Sequence, residues 1–217
     1  LVADGAVEGV RAGGERVDAD AVVVAAGPWS ARVAATAGVD LPLKPYRVQA
    51  LVTTAVDATV GAVYDADAGT YFRSEQNGLL AGDGTEEFAA DPDDYEATAD
   101  FEFLADVGEV LRRRLPVEDV GVRDAWAGLA SATPDQFPLV GQPPVVPGTD
   151  RFVDGLYVAA GLQGHGVMRA PLVGKLLADR VLDDAEEFPE YDPGRFDADP
   201  GDFPVHELLK LPEDSGG

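Results

Sequence analysis

Cysteine is absent from the 217 residues. Disulfides, thiolate metal sites and a cysteine nucleophile are thereby excluded, and no metal is expected. Lysine is scarce: only Lys44, Lys175 and Lys210 occur, against thirteen arginines. No apolar run approaches the roughly 18 residues that a membrane-spanning helix needs. A signal-peptide pattern is missing too, so no membrane span and a cytoplasmic location are expected. Neither GxxxxGK[ST] nor GxGxxG occurs, so the sequence carries no P-loop and no dinucleotide fingerprint. The chain opens on Leu1 rather than methionine, inside what reads as a strand. It is expected to be a fragment, or one piece of a larger protein.

What is present in excess is acid. Forty Asp and Glu stand against sixteen Lys and Arg, for a net charge of −24. This acid-rich, lysine-poor composition resembles that of a halophilic protein from a high-salt cytoplasm, where salt screens self-repulsion, with an acidic mesophilic protein as the alternative. Such a surface repels phosphate, so nucleic acid is not an expected partner. The hydrophobic fraction of 46% suffices for a core, and the length admits one large domain or two small ones.

Along the chain, strands are expected at 6–11 and 15–18 around the Gly13-Gly14 turn. The apolar run 21–25 reads as a strand buried on both faces. Pro28 then opens a helix over 29–37, and Gly38 follows its end. Four strands are expected between Lys44 and Gly82, with Asn77-Gly78 as a hairpin turn. A helix is expected over 95–115. Phe101, Leu104, Val107, Val110 and Leu111 fall on one face, and Pro116 stops it. Strands at 121–131 and 156–160 and a helix at 168–182 follow. The Pro-, Asp- and Glu-rich tail, 184–217, reads as mostly extended. The order is α/β, then antiparallel α+β, then α/β again, as in a domain interrupted by an insertion.

Three segments carry candidate chemistry. GLQGHGVM, 161–168, lies between a strand and a helix. Glycines there allow close backbone approach, and a helix start favours negative charge. VVVAAGPWS, 22–30, is a strand opening onto a small-residue turn; alone it reads equally as an ordinary strand–turn–helix connection. WAGLASATPDQFPLVG, 126–141, reads as a strand and a Pro-rich loop, with Asp135 a turn former more than a general base.

In this order the three segments resemble the C-terminal part of the FAD-dependent D-amino acid oxidase-like superfamily, which includes sarcosine and dimethylglycine dehydrogenases and glycine oxidase. The resemblance covers about residues 1–197, and Gly155 to Ala178 carries its most specific motif. A haloarchaeal source is the matching expectation.

The resemblance implies an FAD-binding βαβ-type domain, lacking its N-terminal GxGxxG unit, interrupted by an antiparallel-sheet substrate domain. The boundaries it implies are 1–45 and 136–183 for the FAD-binding domain, 46–135 for the substrate domain, and 184–217 for the tail. Cofactor contacts would come from Ala26, Gly27 and Trp29, and from Gly161, Leu162, Gln163, Gly164, His165, Gly166, Val167 and Met168. The amides of 166–168 would face the flavin N1–C2=O edge, where charge gathers on reduction. His165 would act as a loop hydrogen-bonding residue or in proton transfer, whereas His206 is expected to be unrelated. Tyr71 and Arg73 would meet the substrate, or else occupy a solvated edge strand; Arg47 and Gln49 share one face of their strand as further candidates. The expected substrate is a small amine or amino acid. Two arginine positions used by glycine-oxidase-type members are Ala130 and Gly164 here, which favours the sarcosine or dimethylglycine dehydrogenase-like branch, or another substrate altogether. The ADP half of FAD would need an N-terminal segment or partner subunit, and without it the chain would be a non-catalytic truncated domain.

Overall fold

The computed structural model describes residues 1–82, 85–86, 88–117, 120–182, 188–196 and 201–205. In chain order the elements are β1 (Val2–Ala3), β2 (Ala6–Val7), β3 (Gly9–Ala12), β4 (Glu15–Asp18), β5 (Val22–Val24), α1 (Ser30–Ala35), β6 (Lys44–Thr53), β7 (Val63–Asp65), β8 (Thr70–Glu75), β9 (Gly78–Gly82), α2 (Phe101–Arg114), β10 (Val122–Ala132), β11 (Leu139–Gly141), β12 (Leu156–Ala160) and α3 (Gly166–Leu182). This is a mixed α/β fold with several sheets, and the chain divides into two compact units. One comprises residues 1–45 and 130–205, the other residues 46–129.

The first unit is built on the sheet β11-β12-β5. β12 runs antiparallel to β11 and parallel to β5, with Val158 opposite Val24. Leu139, Leu156, Val158 and Ala160 are almost fully buried and pack with Val24, Ala34, Val39 and Leu41. α3 lays Val173 and Leu177 on Val140 of β11. β3 and β4 pair around Gly13 and Gly14, both with positive φ, as a turn of this tightness requires. The expectation of a doubly buried strand at 21–25 fails for Val23, which is 45% exposed. β5 is an edge of its sheet, so the apolar run exceeds what the described residues cover. The helix expected at 29–37 splits into a 3-10 turn over Gly27–Trp29 and the six-residue α1.

The second unit contains the sheet β10-β6-β9-β8-β7. β6, β9, β8 and β7 are antiparallel neighbours. The β8–β9 hairpin turns on Gln76 and Asn77, with Gly78 already paired to Glu75. Glycine is required at 78 because a Cβ there would stand 2.6 Å from the Thr53 carbonyl oxygen. α2 starts at Phe101, six residues later than the sequence pattern suggests. Asp100 before it is extended, and Ala127 donates its N–H to the Ala97 carbonyl at 2.8 Å. The buried face is accordingly set by Phe103, Val107, Val110 and Leu111, while Phe101 is 85% exposed. Leu115 is extended, as a residue before proline prefers.

In the tail, the expected extended chain is interrupted by a 3-10 turn over Pro189–Tyr191. Tyr191 packs against the α3 cluster, Phe196 against the main core, and Phe203 and Val205 are buried. His206 lies outside the described residues. Among those described, no helix is long and apolar enough to cross a membrane.

Candidate functional site

The parallel pairing of β5 and β12 decides where the candidate loops fall. Val22 to Val24 match Leu156 to Val158 residue for residue. The turn after β5, at Ala26 and Gly27, and the loop after β12, at Gly161 to His165, therefore leave the sheet at the same end. That end is the carboxyl end of the parallel strands, the usual place for ligands in such sheets.

The 161–168 loop turns sharply. Gly161 has φ +71°, and a Cβ on it would stand 2.4 Å from Thr133 Cγ2. Thr133 cannot easily yield, being fully buried with its hydroxyl donating to the Phe137 carbonyl at 2.8 Å. Gln163 takes a left-handed φ of +54° and opens the 3-10 turn Gln163–His165. His165 N–H donates back to the Leu162 carbonyl at 3.1 Å. α3 then begins at Gly166, two residues before the expected start. Gly164 and Gly166 differ from Gly161. A Cβ at 164 would meet nothing within 4 Å, and one at 166 only Leu162 Cβ at 3.9 Å. Val167 and Met168, at the helix start, are 96% and 73% exposed.

His165 is partly buried, and its Nδ1 has no hydrogen-bond partner among the described residues; the same holds for Arg169 Nη1 and Ser30 Oγ. Burial pushes the His165 imidazole below its ordinary value, and the positive charge of Arg169 adds to this. The imidazole is thus neutral at pH 7, with a buried ring nitrogen facing no protein partner among the described residues.

At the β5 turn, Gly27 has φ +54° and open space where a Cβ would stand. Trp29 N–H donates to the Ala26 carbonyl at 3.1 Å, closing the turn, and the indole is partly exposed. Pro28 fits the first turn because its missing N–H would have no helical partner there.

In the second unit, Tyr71 and Arg73 both lie on the exposed face of β8, with Phe72 buried on the other. The Tyr71 ring covers Gly82 so closely that a Cβ there would stand 2.3 Å from its hydroxyl oxygen. Arg73 pairs with Glu75 on its own strand and donates to the Ser74 carbonyl at 3.2 Å. Arg47 and Gln49 share a face, but that face is turned inward. Arg47 uses all five N–H donors. They reach the Glu96 and Thr98 carbonyls, both at 2.7 Å, the two carboxylate oxygens of Asp100 at 2.9 and 3.1 Å, and Glu86. Gln49 donates to Asp100 at 3.0 Å and accepts its N–H at 2.6 Å. These two residues anchor the start of α2 rather than offering a carboxylate anchor. Beside them is a pocket of about 470 Å³ lined by Thr70, Glu86, Asp100 and Asp106, which holds neither Tyr71 nor Arg73.

Asp135 is a turn residue. It accepts the Phe137 N–H at 3.1 Å and is gripped by Arg195 from the tail. Sequence reasoning missed Arg195; the only hint is one arginine in the acidic run Tyr191 to Asp199. Ala130, at the first missing-arginine position, is buried, and Gly164, at the second, is exposed. No group of three or more His, Asp or Glu among the described residues is placed to hold a metal ion.

The chain matches the family model described as "FAD dependent oxidoreductase" over residues 1–180. It is 35% identical to FAD-dependent oxidoreductase domain-containing protein 1 of Bos taurus, covering 77% of this chain and 36% of that protein. It is 29% identical to glycine oxidase of Pseudomonas putida, covering 88% of this chain and 49% of that protein. In structure it resembles L-proline dehydrogenase from P. horikoshii with a TM-score of 0.72 and 26% identity, covering 90% of this chain and 52% of that one. The chain thus spans from about a third to about half the length of the proteins it matches. Motif order, sheet end and family match agree: the chain belongs to the FAD-dependent oxidoreductase (DAO) family.

Proposed function

We propose that this chain supplies the isoalloxazine side and the substrate domain of an enzyme that oxidises a C–N bond. Its substrate would be a small amino acid or N-methyl amine. The observation that carries the reading is the open backbone at Gly164 and Gly166 beside the partnerless His165 Nδ1. These features fit a flat, polar-edged ring laid against the loop. In the same reading, Gly27 and Ala26 admit the part of FAD that leads to the phosphates.

FAD, when bound, supplies the two-electron acceptor for the hydride leaving the carbon beside nitrogen. The residues of the chain hold and orient. The amides of Gly166, Val167 and Met168, at the positive end of α3, favour negative charge on the ring edge. His165, neutral, takes or gives one hydrogen bond at Nδ1. Tyr71 and Arg73 are the substrate-side candidates on β8. With alanine at 130 and glycine at 164, the substrate carboxylate, if there is one, is not held by an arginine at either place. By the family resemblance, this fits the sarcosine or dimethylglycine dehydrogenase-like branch, or another substrate, better than a simple glycine oxidase. The substrate-domain reading extends over residues 46–135, while the described tail segment 188–196 packs on the unit that holds the glycine loop.

A second reading rests on what the 217 residues lack. They contain no GxGxxG unit, and β5, a sheet edge with an exposed Val23, is open to a further strand. A dinucleotide-binding βαβ segment, or a partner subunit carrying one, would complete the site along that edge. Without it the chain is non-catalytic.

Both readings are separated by one experiment in molar salt. FAD is titrated into the chain alone, and into the chain fused to or mixed with a βαβ unit from a relative. Bound flavin whose absorbance bleaches anaerobically with sarcosine or dimethylglycine supports the first reading. Binding only with the added unit supports the second as well, whereas no binding in either arm refutes both.

A further inference from the structure

The guanidinium of Arg195 uses every donor it has. Nε and Nη2 form a fork on Asp135, to Oδ2 at 2.7 Å and Oδ1 at 2.8 Å. Nη2 also donates to the Phe137 carbonyl at 2.9 Å, and Nη1 to the Pro138 and Asp192 carbonyls at 3.2 and 2.8 Å. Its side chain is only 10% exposed, and Phe196 lies under it at 4.5 Å. Five directed bonds from one planar group fix a geometry that a lysine ammonium cannot copy.

Every group that Arg195 grips, apart from Asp192, lies on the short segment Asp135 to Pro138. That segment is the buttress of the glycine loop. Thr133 donates to the Phe137 carbonyl at 2.8 Å, the same oxygen that Arg195 holds. Thr133 Cγ2 in turn fills the space where Gly161 lacks a side chain. The far end of α3 is tied to the same tail segment, since Arg180 donates to Asp192 at 3.3 Å and Asp192 accepts the Gly194 N–H at 2.7 Å. From these contacts we infer that Arg195 is a positioning residue. Through Asp135 and Phe137 it fixes Thr133, and through Thr133 it sets the backbone of Gly161 to Gly166 for the flavin. The last step rests on the cofactor reading above.

Besides Arg195, the 133–138 turn is held by its own short hydrogen bonds, Gln136 N–H to the Thr133 carbonyl at 3.2 Å and Phe137 N–H to Asp135 at 3.1 Å. Gln136 carries a positive φ of +66°, a conformation a side-chain-bearing residue resists. Asp135 is pushed up by burial, yet the Arg195 hydrogen bonds and the Phe137 N–H outweigh this and hold it below the usual carboxylate range.

The test uses the full 217-residue chain with Arg195→Met, Arg195→Lys and Asp135→Asn. Amide hydrogen exchange of the cofactor-free protein is read first. Exchange at residues 161–166 should speed by about tenfold in all three variants, while Leu156 to Ala160 keep their protection. FAD affinity is read second, in whichever arm of the preceding experiment binds flavin. It should fall by about tenfold, with a changed visible circular dichroism of the bound flavin, and lysine should not rescue. Unchanged exchange at 161–166 overturns the inference, and so does faster exchange with unaltered flavin affinity and dichroism. Equal acceleration throughout β12 would mark plain destabilisation and also overturns it. If Arg195→Met does not fold, Asp135→Asn, which keeps the shape of the turn, decides. Should the wild-type chain bind no FAD in either arm, the cofactor reading falls, while the exchange data still decide the clamp.

Discussion

Two glycines of one loop should respond oppositely to the same methyl group. At Gly161 an alanine would place its Cβ 2.4 Å from Thr133 Cγ2 and 3.3 Å from Leu43 Cδ1, on a backbone with φ +71°. The left-handed backbone costs about 1–2 kcal/mol for a residue with a side chain. Overpacking against a locked, buried threonine adds about 1–3 kcal/mol, so Gly161→Ala should destabilise the chain by roughly 2–5 kcal/mol. At Gly166 the nearest atom would be 3.9 Å away, and the backbone is already helical, with φ −53° and ψ −46°. Alanine there should stabilise the apoprotein by about 0.5–1 kcal/mol, because glycine loses more freedom on entering a helix. In the cofactor reading that same empty space receives the flavin. Gly166→Ala should then lower FAD affinity by about tenfold, equivalent to about 1.4 kcal/mol. Urea unfolding followed by tryptophan fluorescence gives the first pair of numbers, and FAD titration gives the last. A Gly166→Ala protein that is no less stable and binds FAD as tightly as wild type refutes the placement of the flavin. A Gly161→Ala protein of wild-type stability refutes the packing argument.

Three other outcomes are expected. Arg169→Gln should raise the His165 pKa towards its ordinary value, since the arginine charge holds it down together with burial; an NMR titration of the imidazole ring protons reads this directly. Because that pKa is lowered in the fold, the stabilisation from neutral His165 is complete above about pH 6.5 and is lost as pH falls through the folded value. Arg47→Met removes one partner of a buried ion-pair cluster and should cost about 3 kcal/mol in denaturant unfolding. Asp65, held down chiefly by the Arg114 hydrogen bond, and Asp100, held down chiefly by Arg47, titrate below the usual carboxylate range. Their stabilisation is therefore complete above about pH 4 and disappears as pH falls through the folded values, which far-UV circular dichroism between pH 2 and 5 would follow.

Local signals were legible where they were self-sufficient. The strands between Lys44 and Gly82 announce themselves by β-branched and aromatic runs closed by turn residues, and each is present. The sharp turn at Gly161 was legible from its glycine, but the left-handed Gln163 and the packing of Thr133 against Gly161 were not. What the sequence hid were pairings over long separations. Alternation correctly put Arg47 and Gln49 on one face, but only the fold reveals that Asp100, some fifty residues on, draws that face inward. Arg195 meets Asp135 across sixty residues, and nothing in either neighbourhood names the other. The α2 face was misread at one position. Asp100, whose carboxylate is occupied by Arg47 and Gln49, stands just before the helix, and Phe103 rather than Phe101 lies in the core.

Arg47 and Arg195, each with all five donors engaged, bear on how the chain would behave as ionic strength changes. At about 1 M salt the Debye length is about 3 Å, so exposed pairs such as Arg16–Glu8 or Arg113–Glu109 contribute almost nothing. The Arg47 and Arg195 side chains are only 5% and 10% exposed, so their pairs are screened less. The protein therefore carries two electrostatic populations. One, the diffuse negative surface, becomes a burden when salt is removed. The other, two fixed arginine centres, depends less on salt. Dilution should strain the acidic periphery first and leave the arginine-held turns as the last ordered parts of each unit.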